Sequence, residues 1–215
     1  MKIVDLSHEI YEGMPVYPGC EGPRLKTANT YATDGFKETV LTMYSHTGTH
    51  IDPPAHLLAD GATLDSFAAE QFIGKGLVID CTSLEGGEEI SLCHIEKYGS
   101  KVEDAEFLLF NTGWSKKWGS EDYYKSFPCM SKELIEFIAK GGYKGIGFDV
   151  ISIDPVGEAG LKRHNLLFKN ASLINVENLT NLDKCGDDLF TFICLPIKIK
   201  NSDGAPTRAI AIIEE

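Results

Sequence analysis

Residues 45–64 read Ser45-His46-Thr47-Gly48-Thr49-His50-Ile51-Asp52-Pro53-Pro54-Ala55-His56-Leu57-Leu58-Ala59-Asp60-Gly61-Ala62-Thr63-Leu64, which places three of the six histidines and two aspartates in one short span. Read as an extended strand, where side chains alternate between faces, His46, Gly48, His50 and Asp52 project to the same side. A helix would also align His46 with His50. Gly48 inside the span and the Pro53-Pro54 pair after it oppose a helix, so the extended reading is preferred. Two imidazoles and a carboxylate then converge, and Gly48 leaves the backbone between them open to close approach. His56 lies on the same parity, but the proline pair breaks the strand before it and its direction does not follow from period two. A histidine beside a metal but displaced from it suits proton transfer at neutral pH. A further ligand is the alternative role for His56.

Imidazole and carboxylate donors without thiolate suit a divalent ion, zinc first, with manganese, iron or nickel as competitors. Three ligands from one strand leave coordination positions open unless distant residues fill them, and an open position is the mark of a catalytic site. His164, at the start of a helical stretch, and Glu177, after an apolar run, are the candidates for that distant contribution. Ordinary surface positions are the competing account of both.

The pattern around the motif is that of a mixed α/β domain. Ile3–Leu6 opens as a strand, and residues 11–23, punctuated by Gly13, Pro15, Pro18, Gly19, Gly22 and Pro23, read as a loop. A strand is predicted from about Glu38 through Tyr44 into the histidine motif. Short apolar runs bounded by glycine predict buried strands at Leu77–Cys81, Phe107–Asn111 and Gly145–Val150. Ser131–Lys140 is predicted as a helix, capped by Ser131, with Leu134, Phe137 and Ile138 on its apolar stripe and Gly141-Gly142 as its stop. A second helix is expected over Leu161–Phe168, and tail strands near Ser172–Val176, Leu189–Ile199 and Arg208–Ile213. The unbroken strand-like tail does not fit regular β-α alternation, which argues against a purely doubly wound sheet. No fixed-period repeat or low-complexity block is visible.

With 215 residues, 43% of them hydrophobic, residues 1–215 are expected to form one domain. The start lacks a basic and then apolar run, and no apolar stretch approaches bilayer-spanning length, so a cytoplasmic protein is expected. The six cysteines form no Cys-x-x-Cys pair and are read as buried free thiols. A formal net charge of −12 repels phosphate backbones and anionic lipid, so neither nucleic acid nor membrane is an expected partner. Trp114 and Trp118, beside Lys116 and Lys117, read as an amphipathic surface turn. His8 and His94 read as structural histidines.

The run from His46 to His56 resembles the signature of the cyclase-family metal-dependent hydrolases, which include bacterial kynurenine formamidases (arylformamidases) and isatin hydrolases. The resemblance continues through Asp5-Leu6-Ser7-His8-Glu9, Gly13 to Gly19, Gly147-Phe148-Asp149 with Ser152-Ile153-Asp154, His164-Asn165, Glu177-Asn178-Leu179, and the tail from Pro196 to Arg208 with Asp203-Gly204 and Pro206. It implies a mixed α/β, swivelling β/β/α-type domain with a barrel-like β core and peripheral helices, assembled as a homodimer or higher homo-oligomer. It implies that His46, His50 and Asp52 bind one ion, that Asp52 and Glu177 bridge to a second held also by His164, and that His56 is the catalytic proton carrier. The ions expected are Zn2+, one or two, with Mn2+ possible.

Tyr17 stands where the formamidases usually have a tryptophan against the aromatic substrate, and is the expected substrate-binding residue. The implied reaction is hydrolysis of N-formylkynurenine to kynurenine and formate, a step of tryptophan catabolism. An isatin-type cyclic amide, or another small amide or lactone, is the near alternative. A metal- or ligand-binding module without turnover and iron oxygenase chemistry are readings from other classes. Retention of His56 argues against the binding module, and the oxygenase ligand set resembles this one in composition alone.

Overall fold

The computed structural model describes residues 1–170 and 172–214. Its centre is a strongly curled, half-barrel sheet of nine strands. In spatial order these are Lys2–Asp5, Ile210–Ile213, Phe190–Ile193, Ile73–Asp80, Phe107–Asn111, Gly145–Phe148, Ile174–Glu177, His50–Asp52 and Ala205–Pro206. The four strands from Ile73–Asp80 to Ile174–Glu177 are mutually parallel, and antiparallel strands flank them on both sides.

Apart from the exposed ends of Ile73–Asp80, the parallel strands are buried on both faces, which explains why Leu77–Ile79 and Phe107–Phe110 are written as continuous apolar runs and not as alternating ones. Leu77, Ile79, Leu108, Phe110, Ile146 and Phe148 point into one core, where Leu134, Ile135 and Ile138 of the helix Lys132–Lys140 and Leu167 and Phe168 of the helix Lys162–Asn170 meet them. Val78, Phe107, Leu109, Ile174 and Val176 point into a second core on the other face, with Ile51 and Phe192. Small residues let neighbouring strands approach: a Cβ on Gly145 would lie 2.8 Å from the Ile174 carbonyl oxygen and 2.9 Å from Phe107 Cε1. Gly145→Ala is expected to cost about 1–3 kcal/mol by overpacking. Urea unfolding would read this as a lower midpoint at unchanged slope, and an unaltered midpoint would contradict it.

The mixed α/β reading with a barrel-like core describes this architecture, and several local expectations are corrected by it. The strand from Glu38 ends at Thr42 and pairs with Arg24–Asn29 in a separate exposed hairpin, so it does not run into the histidine motif. The strand in that motif spans His50–Asp52 alone, because Gly48 takes a positive φ of 65° and turns the chain ahead of it. Ser131 caps its helix by accepting a hydrogen bond from the Leu134 amide. Phe137 is exposed, and Ile135 fills the inner stripe in its place. The tail strand stops at Ile193, leaving Leu195, Ile197 and Ile199 outside the sheet and exposed. Trp114 is buried, with its indole N–H donating to the Tyr123 carbonyl, so the expected surface turn is a packed one. Cys81, Cys129, Cys185 and Cys194 are buried free thiols, whereas Cys20 and Cys93 are exposed. Among the described residues no helix is long and apolar enough to cross a membrane.

Candidate metal centre

Two strands build the floor of the site. In the antiparallel pairing of Ile174–Glu177 with His50–Asp52, Glu177 lies opposite His50 and Asn175 opposite Asp52. Directly paired residues share a face, so all four side chains emerge on one side while Val176 and Ile51 enter the core on the other. Each is at most 4% exposed, which makes their polar partners obligatory. His164 comes from the first turn of the helix Lys162–Asn170 and is also buried.

The histidine tautomers are set from behind. His50 Nδ1–H donates to the Gly48 carbonyl at 2.8 Å, leaving Nε2 3.2 Å from Asp52 Oδ1 and 3.7 Å from Glu177 Oε2. His164 Nδ1–H donates to Asp154 Oδ2 at 2.6 Å, and its Nε2 stands 3.2 Å from Glu177 Oε1 and 3.5 Å from Asp52 Oδ2 without hydrogen-bond geometry to either. Asp154 is itself held by the backbone amides of Arg163 and His164. His46 Nδ1 is 2.6 Å from Asp52 Oδ1. Asp52 thus turns one oxygen to His46 and His50 and the other toward His164. Glu177 divides its oxygens between His50 and His164 in the same way. Asn175 Nδ2 donates to both carboxylates, at 3.0 and 2.9 Å, and holds them side by side.

Donor atoms of His46, Asp52 and His56 form one close group and those of His50, Asp52 and Glu177 another. An orphaned buried nitrogen on His164, two carboxylates aimed at shared space, and nitrogen and oxygen donors without thiolate fit one or two divalent cations. The protonation pattern agrees. Burial opposes charge on His50, but Asp52 and Glu177 outweigh it and raise its pKa to about 9. Burial likewise opposes charge on His164, and Asp154, Asp52 and Glu177 outweigh it and raise its pKa. The Asp52 carboxyl is driven down against its own burial by His50, His164 and His46. Protons therefore occupy the positions a cation would take. Loading zinc at pH 7 is expected to expel roughly one to two protons, with apparent affinity rising as pH climbs toward 9. Calorimetry in buffers of different ionisation enthalpy reads this, and a heat independent of the buffer would contradict it.

His56 ends a short 3-10 turn, Pro54–His56, that the proline pair starts, and its ring lies tilted against that of His46 at 4.0 Å and edge-on to that of His164 at 5.8 Å. Burial pushes its pKa down to about 4, with the neighbouring histidines adding to the effect and Asp52 opposing it, so the ring is neutral at pH 7. Above these groups lies a cavity of about 390 Å³ walled by Pro15, Val16, Tyr17, Tyr44, Ile151 and Leu161. All seven candidates, Tyr17, His46, His50, Asp52, His56, His164 and Glu177, line it. The Tyr17 hydroxyl accepts from the Gly157 amide at 3.4 Å, which ties the 11–23 loop to the chain preceding His164.

The sequence signal for the supporting residues is weak. Asp154, at a strand end, can support the site or merely hold a turn, and Asn175 lies inside an apolar run. Asn178 carried no local signal at all, yet its Nδ2 donates to the Gly48 carbonyl that also receives His50, and its Oδ1 accepts from the buried Tyr123 hydroxyl. His8 stacks on Trp118 at 3.8 Å, and its backbone amide donates to Thr49 Oγ1, a structural role as expected.

A family model described as putative cyclase matches residues 4–155. Kynurenine formamidase of Bacillus cereus is 31% identical, over 96% of this chain and 95% of the relative. Isatin hydrolase A from Labrenzia aggregata, solved with benzyl benzoate bound, superimposes with a TM-score of 0.89 at 30% identity, covering 100% of this chain and 94% of that one. A structure described as a potential metal-dependent hydrolase with cyclase activity gives a TM-score of 0.80 at 27% identity, covering 98% and 96%. The family model covers residues 4–155, the relatives and the superposition extend along nearly the whole length, and the chain belongs to the putative cyclase family.

Proposed function

We propose that this chain is a metal-dependent amide hydrolase of the arylformamidase type, cleaving N-formylkynurenine to kynurenine and formate. The observation that carries this reading is the convergence of His46, His50, Asp52, His164 and Glu177 at the floor of an apolar-walled cavity, with His56 against its edge. His46, His50 and Asp52 would hold one divalent ion, zinc or manganese, and Asp52, His164 and Glu177 a second. Such an ion supplies Lewis acidity, which makes water nucleophilic near neutral pH and draws charge from the carbonyl.

The protein's own residues do the rest. Tyr17, Val16 and Ile151 present apolar surface to an aromatic ring and exclude water around the amide. Asp154, Asn175 and the Gly48 carbonyl hold the donors in fixed orientation, so little reorganisation accompanies the reaction. Neutral His56 accepts a proton as water attacks and returns it to the leaving nitrogen. An aryl amine leaves more readily than an alkyl amine, which favours anilide-type amides. Six free cysteines and a net charge of −12 fit a cytoplasmic setting, and the exposed hairpin and tail suit assembly as a homodimer.

Isatin-type ring opening is the second reading, favoured by the close superposition on isatin hydrolase A. The purified, metal-loaded protein should be assayed side by side on N-formylkynurenine, isatin and simple aryl esters. Turnover of N-formylkynurenine that disappears on chelation and returns with metal supports the first reading, and turnover confined to isatin replaces it with the second. Equal rates before and after complete demetallation would overturn both.

A further inference from the structure

We infer that Asp203 is a positioning residue for His46: it accepts the Nε2 proton of that ring and so commits Nδ1 to the metal centre. This rests on the reading of His46 as a ligand. Neutral imidazole carries its proton on one nitrogen or the other, and a ring held from neither side presents both tautomers. In His50 and His164 the Nδ1 proton is taken by Gly48 and Asp154, and Nε2 faces the carboxylates. His46 is arranged the opposite way. Its Nδ1 meets Asp52 at 2.6 Å, and its Nε2 lies 3.3 Å from Asp203 Oδ2.

The loop that carries Asp203 is built against this ring. Ala205 and Pro206, directly after it, pair with Ile51 and His50 of the ligand strand, and the Ser202 carbonyl accepts from the Leu64 amide. Ser45 Oγ donates to the same Asp203 oxygen at 3.4 Å. A Cβ on Gly204 would collide with His46 Cε1, so the glycine allows the loop backbone to close directly onto the imidazole. His46 reaches the site through a turn and not from the sheet, and on its outward Nε2 side it meets the exposed Asp203 carboxylate, where the outward nitrogens of His50 and His164 meet a backbone carbonyl and a buried carboxylate. Asp203 supplies that constraint from the tail of the chain.

The test compares Asp203→Ala, Asp203→Asn and His46→Ala for zinc affinity by competition with a chromophoric chelator, and for the His46 tautomer by long-range 15N–1H correlation of the zinc-loaded protein. Asp203→Ala should weaken zinc by about 10- to 100-fold and lose the single Nε2–H tautomer, at an unchanged melting temperature. Asp203→Asn, which keeps an acceptor oxygen, should recover most of both. If His46→Ala loses zinc while Asp203→Ala binds as the parent does with the tautomer intact, the positioning role is overturned and the ligand reading stands. If His46→Ala binds zinc undiminished, both fall.

Discussion

Asp52→Ala should empty the metal centre and, even in metal-free protein, lower the melting temperature by roughly 10 °C. Asp52 is 1% exposed and faces His46 at 2.6 Å, His50 at 3.2 Å and His164 at 3.5 Å, so its removal leaves buried imidazolium charge with Glu177 as the nearest remaining counter-charge on this floor. Breaking a buried pair from one side costs about 3–5 kcal/mol, and for a domain of this size each kcal/mol shifts the midpoint by about 2–4 °C. The deficit depends on pH with a definite sign. His50 has a folded-state pKa of about 9 against an ordinary 6.5, so the stability it contributes is fully present below 6.5 and disappears as pH rises through about 9. Asp52, depressed, contributes above its ordinary range and loses that contribution in strong acid. The gap between parent and variant should therefore be widest near pH 5–6 and narrow by pH 9. Scanning calorimetry of chelator-treated proteins at the two pH values checks this, and a gap that widens with pH would contradict the assignment of protons to the histidines.

His56→Ala should behave in the opposite manner, keeping metal and fold while turnover falls about 10²–10⁴-fold, the usual contribution of a positioned general acid-base group. The ring packs on His46 at 4.0 Å, but the turn beneath it is held by backbone bonds, the His56 amide to the Pro53 carbonyl and the Leu57 amide to the Pro54 carbonyl, that do not involve the side chain. Metal content by elemental analysis, together with kcat on N-formylkynurenine, separates the two roles open to this residue. Retained metal with depressed kcat assigns proton transfer. Metal lost together with activity assigns ligation, which its grouping with His46 and Asp52 also permits.

The two substitutions differ because the two residues are held differently, and that difference was only partly legible in the sequence. The donor set was legible: histidines and an aspartate crowded into one segment with a glycine and a proline pair have few ordinary explanations. The strand Phe107–Asn111 and the capped helix Lys132–Lys140 were legible too, since apolar runs and caps are local properties of the chain. The geometry of the motif was not. Period-two alternation brought His46 to the correct side by the wrong route, because the chain leaves the strand between Thr42 and His50 and bends at Gly48, which takes a positive φ.

By itself, then, the order of residues determined which chemistry the chain carries and where its buried strands and capped helix lie, because backbone preference and hydrophobic alternation act over a few residues. Tertiary structure alone decided that Glu177 stands opposite His50 and that His164 turns its free nitrogen toward both carboxylates. It also decided that Asp154, Asn175 and Asn178 hold these groups in place. The links of Glu177 to His50, Asn175 to Asp52 and Asn178 to Gly48 join segments more than a hundred residues apart, and register between distant strands is settled by packing of the whole sheet, which no local window records.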